Sequence, residues 1–297
     1  MKVIVTGGSG FIGRYLCEYL VGMGCDVINI DNKPGYQMNT HQLNIVDLPG
    51  LYDIFQTEQP EMVFHMAANS NIRAGLADSD VDLSDTFLTT YRVLQVMRKL
   101  HVKKILFAST SAVYGEVSGL LLENIDIPDP ISYYGAAKLA SEGFIRAFVA
   151  LNNMQAWICR FSNIVGKGMT HGIIFDLLNK LKNNPEELEV LGNGEQTKPY
   201  LHVQDLIGAM FCIMTKSDKP YNLYNIGPTT TTKVKDVVRI LLEETRLTPV
   251  IHYTGEDRGW PGDVPNFQYN TARLTRLGWK ATLTSDEAVR LAIRESL

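Results

Sequence analysis

Tyr134 and Lys138 stand four residues apart inside a helical pattern, Tyr134 to Leu151, so both side chains leave one face of one helix and can reach a single site. A free phenol titrates near 10, too high for an efficient base at neutral pH, but a neighbouring ammonium stabilises the phenolate and turns the pair into a proton acceptor for an alcohol. Tyr133 is out of register, because its partner four residues on is Ala137. A third group comes from Phe107 to Glu116, where a strand pattern runs into a turn carrying Ser109, Thr110 and Ser111. In an open α/β sheet ligands bind at the carboxyl ends of strands, so any of these hydroxyls can touch a substrate oxygen, and any can simply cap the turn.

The chain opens with an apolar strand, Lys2 to Val5, then Thr6-Gly7-Gly8-Ser9-Gly10-Phe11-Ile12-Gly13 and an amphipathic helix. Gly8, Gly10 and Gly13 fit G-x-G-x-x-G, and Gly7, Gly10 and Gly13 fit the wider G-x-x-G-x-x-G. Such glycines give a tight turn, close approach of backbone to a pyrophosphate, and close helix-on-strand packing, with the helix N-terminus offering N–H groups to the phosphates. Asp31 follows 18 residues after Gly13, at the end of the second strand pattern. A carboxylate there accepts from an adenosine ribose and repels a 2′-phosphate, which favours NAD; Lys33 beside it is the argument for NADP.

Short β-branched runs at Lys2 to Val5, Val27 to Ile30, Met62 to His65, Lys104 to Phe107 and Ala156 to Cys159 alternate with helical patterns at Phe11 to Gly22, Leu83 to Leu100 and Tyr134 to Leu151. That alternation predicts an α/β doubly wound parallel sheet of the Rossmann type. After about Asn163 the rhythm changes to short helices, turns and few strands, as in a smaller C-terminal α/β lobe. The expected division is a dinucleotide-binding domain over 1–162, with 195–220 returning to it, and a substrate-binding lobe over 163–194 and 221–297. Among 297 residues 45% are hydrophobic and 20% charged, which is globular usage, and the net charge of −4 argues against a nucleic-acid-coating role. Four dispersed cysteines without ligand spacing read as reduced core thiols. No run is long enough to span a bilayer, and the start leads straight into a core strand, so a cytoplasmic protein without a membrane partner is expected. His65 and His202 read as structural, and Arg98-Lys99 with Lys103-Lys104 as a solvated edge.

The phosphate loop, Asp31, His65-Met66-Ala67-Ala68, the hydroxyl turn, Tyr134/Lys138 and Arg160-Phe161-Ser162-Asn163-Ile164-Val165-Gly166 together resemble an extended short-chain dehydrogenase/reductase. More narrowly they resemble the NAD-dependent sugar-nucleotide epimerase/dehydratase family, a likeness that continues through Leu191 to Asp205, Tyr224 to Gly227 and Arg258 to Asp263. The resemblance implies that Thr110, Tyr134 and Lys138 are catalytic. It implies an NAD site made by Gly7, Gly10, Phe11, Ile12, Gly13, Asp31, Asn32, Asn44, Ile45, Met66, Ala67, Ala68, Tyr134, Lys138 and Phe161. For a nucleotide-sugar substrate, UDP-linked first, it implies Ser70, Thr110, Ser111, Asn163, Lys198, Tyr200 and Arg258. It further implies a homodimer built from the helices at Leu83 to Leu100 and Tyr134 to Leu151.

Several positions depart from the family pattern. Asn44 replaces an aspartate, Lys198 an arginine, Thr86 an asparagine of a water network, and Trp260 an arginine near Arg258. The most informative is Ser111-Ala112, where sugar-nucleotide 4,6-dehydratases carry Asp-Glu as acid and base. Neither serine nor alanine can move those protons, which favours 4-epimerisation of the UDP-glucose/UDP-galactose type through a 4-keto sugar. Dehydratase, decarboxylase or 4-reductase chemistry is the alternative, with Glu116 and Glu123 as the nearest carboxylates. A non-catalytic NAD sensor is the remote one.

Overall fold

The computed structural model describes residues 1–35, 39–117, 119–124, 128–259 and 262–297. Seven strands form the main sheet: Lys2–Thr6 (β1), Asp26–Asp31 (β2), Asn39–Gln42 (β3), Met62–His65 (β4), Lys104–Thr110 (β5), Gln155–Phe161 (β6) and Tyr221–Ile226 (β7). Their order across the sheet is β7-β6-β5-β4-β1-β2-β3. β3, β2, β1, β4 and β5 pair in parallel. Strand order reverses beside β1, the switch point at which doubly wound sheets bind ligands. All five expected strands form, and β5 runs on to Thr110, which places Ser109 and Thr110 on the strand end itself.

Helix Phe11–Gly22 (α1) forms over the expected residues and buries Phe11, Leu16, Cys17 and Leu20. Leu48–Glu58 (α2), Thr89–Lys99 (α3) and Tyr133–Asn152 (α4) complete the layers, and α4 begins where Ser132 accepts the Gly135 N–H at 3.1 Å. Ile4, Ile28, Val63, Leu94, Met97, Ile105, Phe107, Ile145 and Ile158 meet in one core, which explains why these strands are apolar on both sides. The expected helix from Leu83 to Leu100 is broken: Leu83–Leu88 is a π turn, and regular α-helix starts only at Thr89. The hydroxyls of Thr89 and Thr90 donate to the carbonyls of Asp85 and Thr86, a competition with the helical ladder that the periodicity of apolar residues does not register.

The chain divides into two compact units, Met1–Val113 with Pro128–Arg160 and Met210–Tyr224, and Tyr114–Ile127 with Phe161–Ala209 and Asn225–Leu297. The segment that returns to the first unit is 210–224, where β7 adds to the sheet edge next to β6. The 114–127 segment leaves the first unit because Leu120–Leu121 pairs with Gln268–Tyr269. Within the second unit Asn163–Val165 lies parallel to Tyr200–His202, and Glu187–Val190 to Val250–Tyr253. Its last helix, Ser285–Arg294, carries a capping box between Thr284 and Glu287. Among the described residues no helix is long and apolar enough to cross a membrane.

Candidate active site

In the first unit, the strand end β5 and the start of α4 meet closely. A Cβ on Gly135 would run into the Ala112 carbonyl, so glycine is what lets the first turn of α4 sit against the hydroxyl turn. Tyr134 is half-buried, and its hydroxyl bonds the Thr110 side chain. Lys138 is buried, donates from Nζ to the Ala108 carbonyl at 2.7 Å, and lies 4.6 Å from the Phe107 ring centroid and 5.9 Å from that of Tyr134. Burial holds the Tyr134 phenol above its ordinary value, with the Asp82 charge adding to the effect and the Thr110 hydrogen bond opposing it. The same burial pulls the Lys138 ammonium down to about 7, against the charges of Glu142 and Asp82. Both shifts work against the charged forms, so a phenolate at Tyr134 depends on the Thr110 hydrogen bond and on a protonated Lys138 beside it.

The three hydroxyls left open by the sequence are now separated. Ser109 points into the core and donates to Glu142 Oε1 at 2.5 Å, while Thr110, on the opposite side of the strand, faces Tyr134. Thr110 Oγ1 also accepts the Ala112 N–H at 3.1 Å. Ser111 begins a 3-10 turn, Ser111–Tyr114. Two carboxyls that sequence reasoning passed over flank this pair. Glu142 follows Lys138 by one helical turn, a spacing that could have flagged it. Asp82 is buried, accepts Asn69 Nδ2 at 2.9 Å, and is held above the ordinary carboxylate range by burial; no local motif marks it. The Thr86 hydroxyl accepts the Asn69 N–H at 3.1 Å, so it fixes the loop after β4.

A Cβ on Gly13 would collide with the Gly7 carbonyl, so only glycine permits this loop-to-helix approach. No side chain caps the N-terminus of α1, where the residue before the helix is Gly10, and the first N–H groups of a helix have no intrahelical partner and suit phosphate oxygens. Asp31 accepts the Ser9 N–H at 2.9 Å and the Lys33 N–H at 3.0 Å, leaving lone pairs on both oxygens for ribose hydroxyls. These features fit NAD. Phe11 and Ile45 are core residues, whereas Asn32 and Asn44 are exposed, Asn44 accepting the Val46 N–H at 3.3 Å. Met66, Ala67 and Ala68 are half-buried, with the Met66 N–H on the Thr6 carbonyl, and Ser70 is exposed. His65 bridges Thr6 and Thr90 at 2.6 and 3.0 Å; burial drives it down to about 3, so it is a neutral structural link.

In the second unit the residues assigned to a diphosphate form their own group. Lys198 is ion-paired with Asp263, and Arg258 with Glu116, while Arg258 Nη1 also donates to the Asp263 carbonyl at 3.2 Å. Asn163 is opposite Tyr200 in the strand pairing, and Tyr200 is buried. Phe161 gives its carbonyl to the Tyr269 hydroxyl at 2.9 Å. His202 is buried with Nε2 3.2 Å from Glu295. Glu123, one of the two spare carboxylates, accepts the Asn225 N–H at 3.1 Å and lies 3.6 Å from Arg273. Trp260 lies outside the described residues.

A doubly wound sheet with a glycine loop at its switch point, and a Tyr-x-x-x-Lys helix against a hydroxyl-bearing strand end, is the arrangement of a short-chain dehydrogenase/reductase-like enzyme. Residues 3–227 match the NAD dependent epimerase/dehydratase family, and the chain belongs to it. The solved UDP-glucose 4-epimerase of Thermotoga maritima, in complex with UDP-glucose, is 28% identical with a TM-score of 0.90 over 99% of this chain and 98% of that one. MoeE5, solved with UDP-glucuronic acid and NAD, is likewise 28% identical with a TM-score of 0.90, over 99% and 98% of the two chains. The dTDP-glucose 4,6-dehydratase of Haemophilus influenzae is 28% identical over 99% of this chain and 97% of its own.

Proposed function

We propose that this protein is a nucleotide-sugar 4-epimerase acting on a UDP-hexose of the UDP-glucose/UDP-galactose type. Tyr134 takes the proton of the C4 hydroxyl while Thr110 hydrogen-bonds the same oxygen, and the Lys138 ammonium stabilises the phenolate. Gly7, Gly10, Gly13, Asp31 and the Met66 to Ala68 loop would hold NAD, which would supply a reversible hydride acceptor for the C4 carbon. Once the sugar has turned over, Tyr134 returns its proton and no net redox change remains. In the second unit Asn163, Lys198, Tyr200 and Arg258 hold the diphosphate, whose oxygens compete with Asp263 and Glu116 for the two cations.

The observation that carries this reading is Ser111-Ala112 directly after Thr110. Elimination across C5 and C6 needs an acid and a base within hydrogen-bond reach. Neither residue supplies one, and the spare carboxylate Glu123 is engaged with Asn225 and Arg273. The Haemophilus influenzae relative favours a second reading, 4,6-dehydration. A product assay with UDP- and dTDP-glucose separates them: epimerisation gives a C4 epimer and no 4-keto-6-deoxy sugar, and the deoxy sugar without an epimer selects the second reading.

The assembly proposed with this function is a homodimer. Phe87, Tyr91, Phe144 and Phe148 form an edge-packed aromatic cluster across the π turn, α3 and α4, and Leu83, Phe144 and Leu151 of these elements are exposed. An apolar face of that kind is covered in a stable soluble protein, and a two-fold pairing covers it with itself. Sedimentation at micromolar concentration giving monomer alone would refute this.

A further inference from the structure

Helix α4 meets three consecutive residues of β5 with three successive turns. Tyr134 bonds the Thr110 hydroxyl, Lys138 Nζ donates to the Ala108 carbonyl at 2.7 Å, and Glu142 Oε1 accepts the Ser109 hydroxyl at 2.5 Å. Glu142 is itself fixed by Arg160 of β6, which donates from Nε to Oε1 at 2.9 Å and from Nη2 to Oε2 at 2.6 Å. Both side chains of this ion pair are only 4–5% exposed. A fork-to-carboxylate pair in that setting has one geometry, and it ties two strands and the helix together under the reacting groups.

We propose that Glu142, clamped by Arg160, is a positioning residue for the acid–base pair: it pins the end of β5 through Ser109, so that Thr110 and the Ala108 carbonyl stand opposite Tyr134 and Lys138, and its charge helps keep the Lys138 nitrogen an ammonium. The inference rests on Tyr134 and Lys138 acting as that pair. The groups facing Lys138 are Glu142 on its own helix, Asp82 from the turn before the π segment, the Phe107 ring and Ala108 carbonyl of β5, and His65, which is neutral. Burial lowers the lysine, and Glu142 is the larger of the two opposing charges. Without it the ammonium loses its proton at lower pH.

Glu142→Gln alone leaves Arg160 buried without its counter-charge and invites unfolding, so the test is Glu142→Leu combined with Arg160→Met, which removes the pair and retains apolar volume. Two readouts apply to the folded, full-length protein: the titration of Lys138 followed through its 13Cε resonance, assigned by loss in Lys138→Met, and the split between kcat and KM. The expected result is a titration midpoint displaced by about half a unit or more to lower pH, with kcat at pH 8 down roughly tenfold and KM within about twofold. An unmoved midpoint with wild-type kcat overturns the proposal. Ser109→Ala, which spares the ion pair, is expected to lower kcat several-fold with the Lys138 midpoint in place, and full activity there overturns the pinning role. Wild-type protein inactive on every nucleotide sugar would break the reading in the preceding section, while the lysine titration still decides this one.

Discussion

The pair on α4 and the cations of the second unit hold charge in opposite ways. Lys138 is buried, bonded to a backbone carbonyl, and set among carboxyls that are themselves tied down. Arg258 is tied to Glu116 in a pair open on both sides, while Lys198 is tied to Asp263, a carboxylate that is itself buried. Buried charges act in a low dielectric and cost a great deal to move, so they suit a proton transfer that needs fixed geometry. Exposed pairs are screened and exchange partners readily, so they suit capture and release of an anion. On the function proposed above, the difference assigns the buried pair to the rate of the chemical step and the exposed Arg258 pair to substrate affinity.

The comparison breaks first at Tyr134. Tyr134→Phe removes only the proton-transferring oxygen and should lower kcat by about 10²–10⁴-fold with NAD still bound; more than about a tenth of the wild-type rate would refute the assignment, and Tyr133→Phe is the register control. Asp31→Ala should come next. It removes the acceptor for the ribose hydroxyls and should weaken NAD binding by roughly tenfold or more with the fold intact, read by calorimetric titration. In the second unit, Lys198→Ala and Arg258→Ala should each raise KM by roughly tenfold while kcat changes little, because the contact to a diphosphate is the same in ground and transition states. A large fall in kcat there would abolish the distinction between the two regions.

The smallest effect concerns stability and pH. Lys138 binds its proton less tightly in the folded cofactor-free protein, at about 7, than in the unfolded chain near 10.5. Between those values the unfolded state carries more protons, so stability rises with pH over that window. Lys138→Met lacks this slope, and the melting temperature of the wild type relative to the variant should climb from pH 7 to pH 9. A difference constant with pH would mean that the buried lysine is not displaced from its ordinary titration.

Much of this was legible because it is local. A spacing of four residues places Tyr134 and Lys138 on one face by the helical period alone, and the same period excludes Tyr133. The strand-loop-helix run through Gly7, Gly10 and Gly13 and the carboxylate closing the second strand follow from short-range pattern, as does the doubly wound sheet. The π turn at Leu83–Leu88 was not legible: it coincides with hydroxyl-to-carbonyl bonds from Thr89 and Thr90, which an apolar period does not register.

By itself, then, the sequence determined which residue types share a face or a loop: the Tyr134/Lys138 register, the phosphate loop, Asp31, and the absence of an acid and base at Ser111-Ala112. Tertiary structure alone decided which hydroxyl faces the tyrosine, since Ser109 is claimed by Glu142 from 33 residues away and Thr110 is left to the site. It also decided that Glu142 would be held by Arg160, that Asp82 would sit buried against Asn69, and that Lys198 would meet Asp263 across 65 residues. The physical reason is one of range: periods of two and 3.6 residues fix direction along an element, whereas the partner of a buried charge is chosen by whichever element packs against it, and that depends on burial summed over the whole chain.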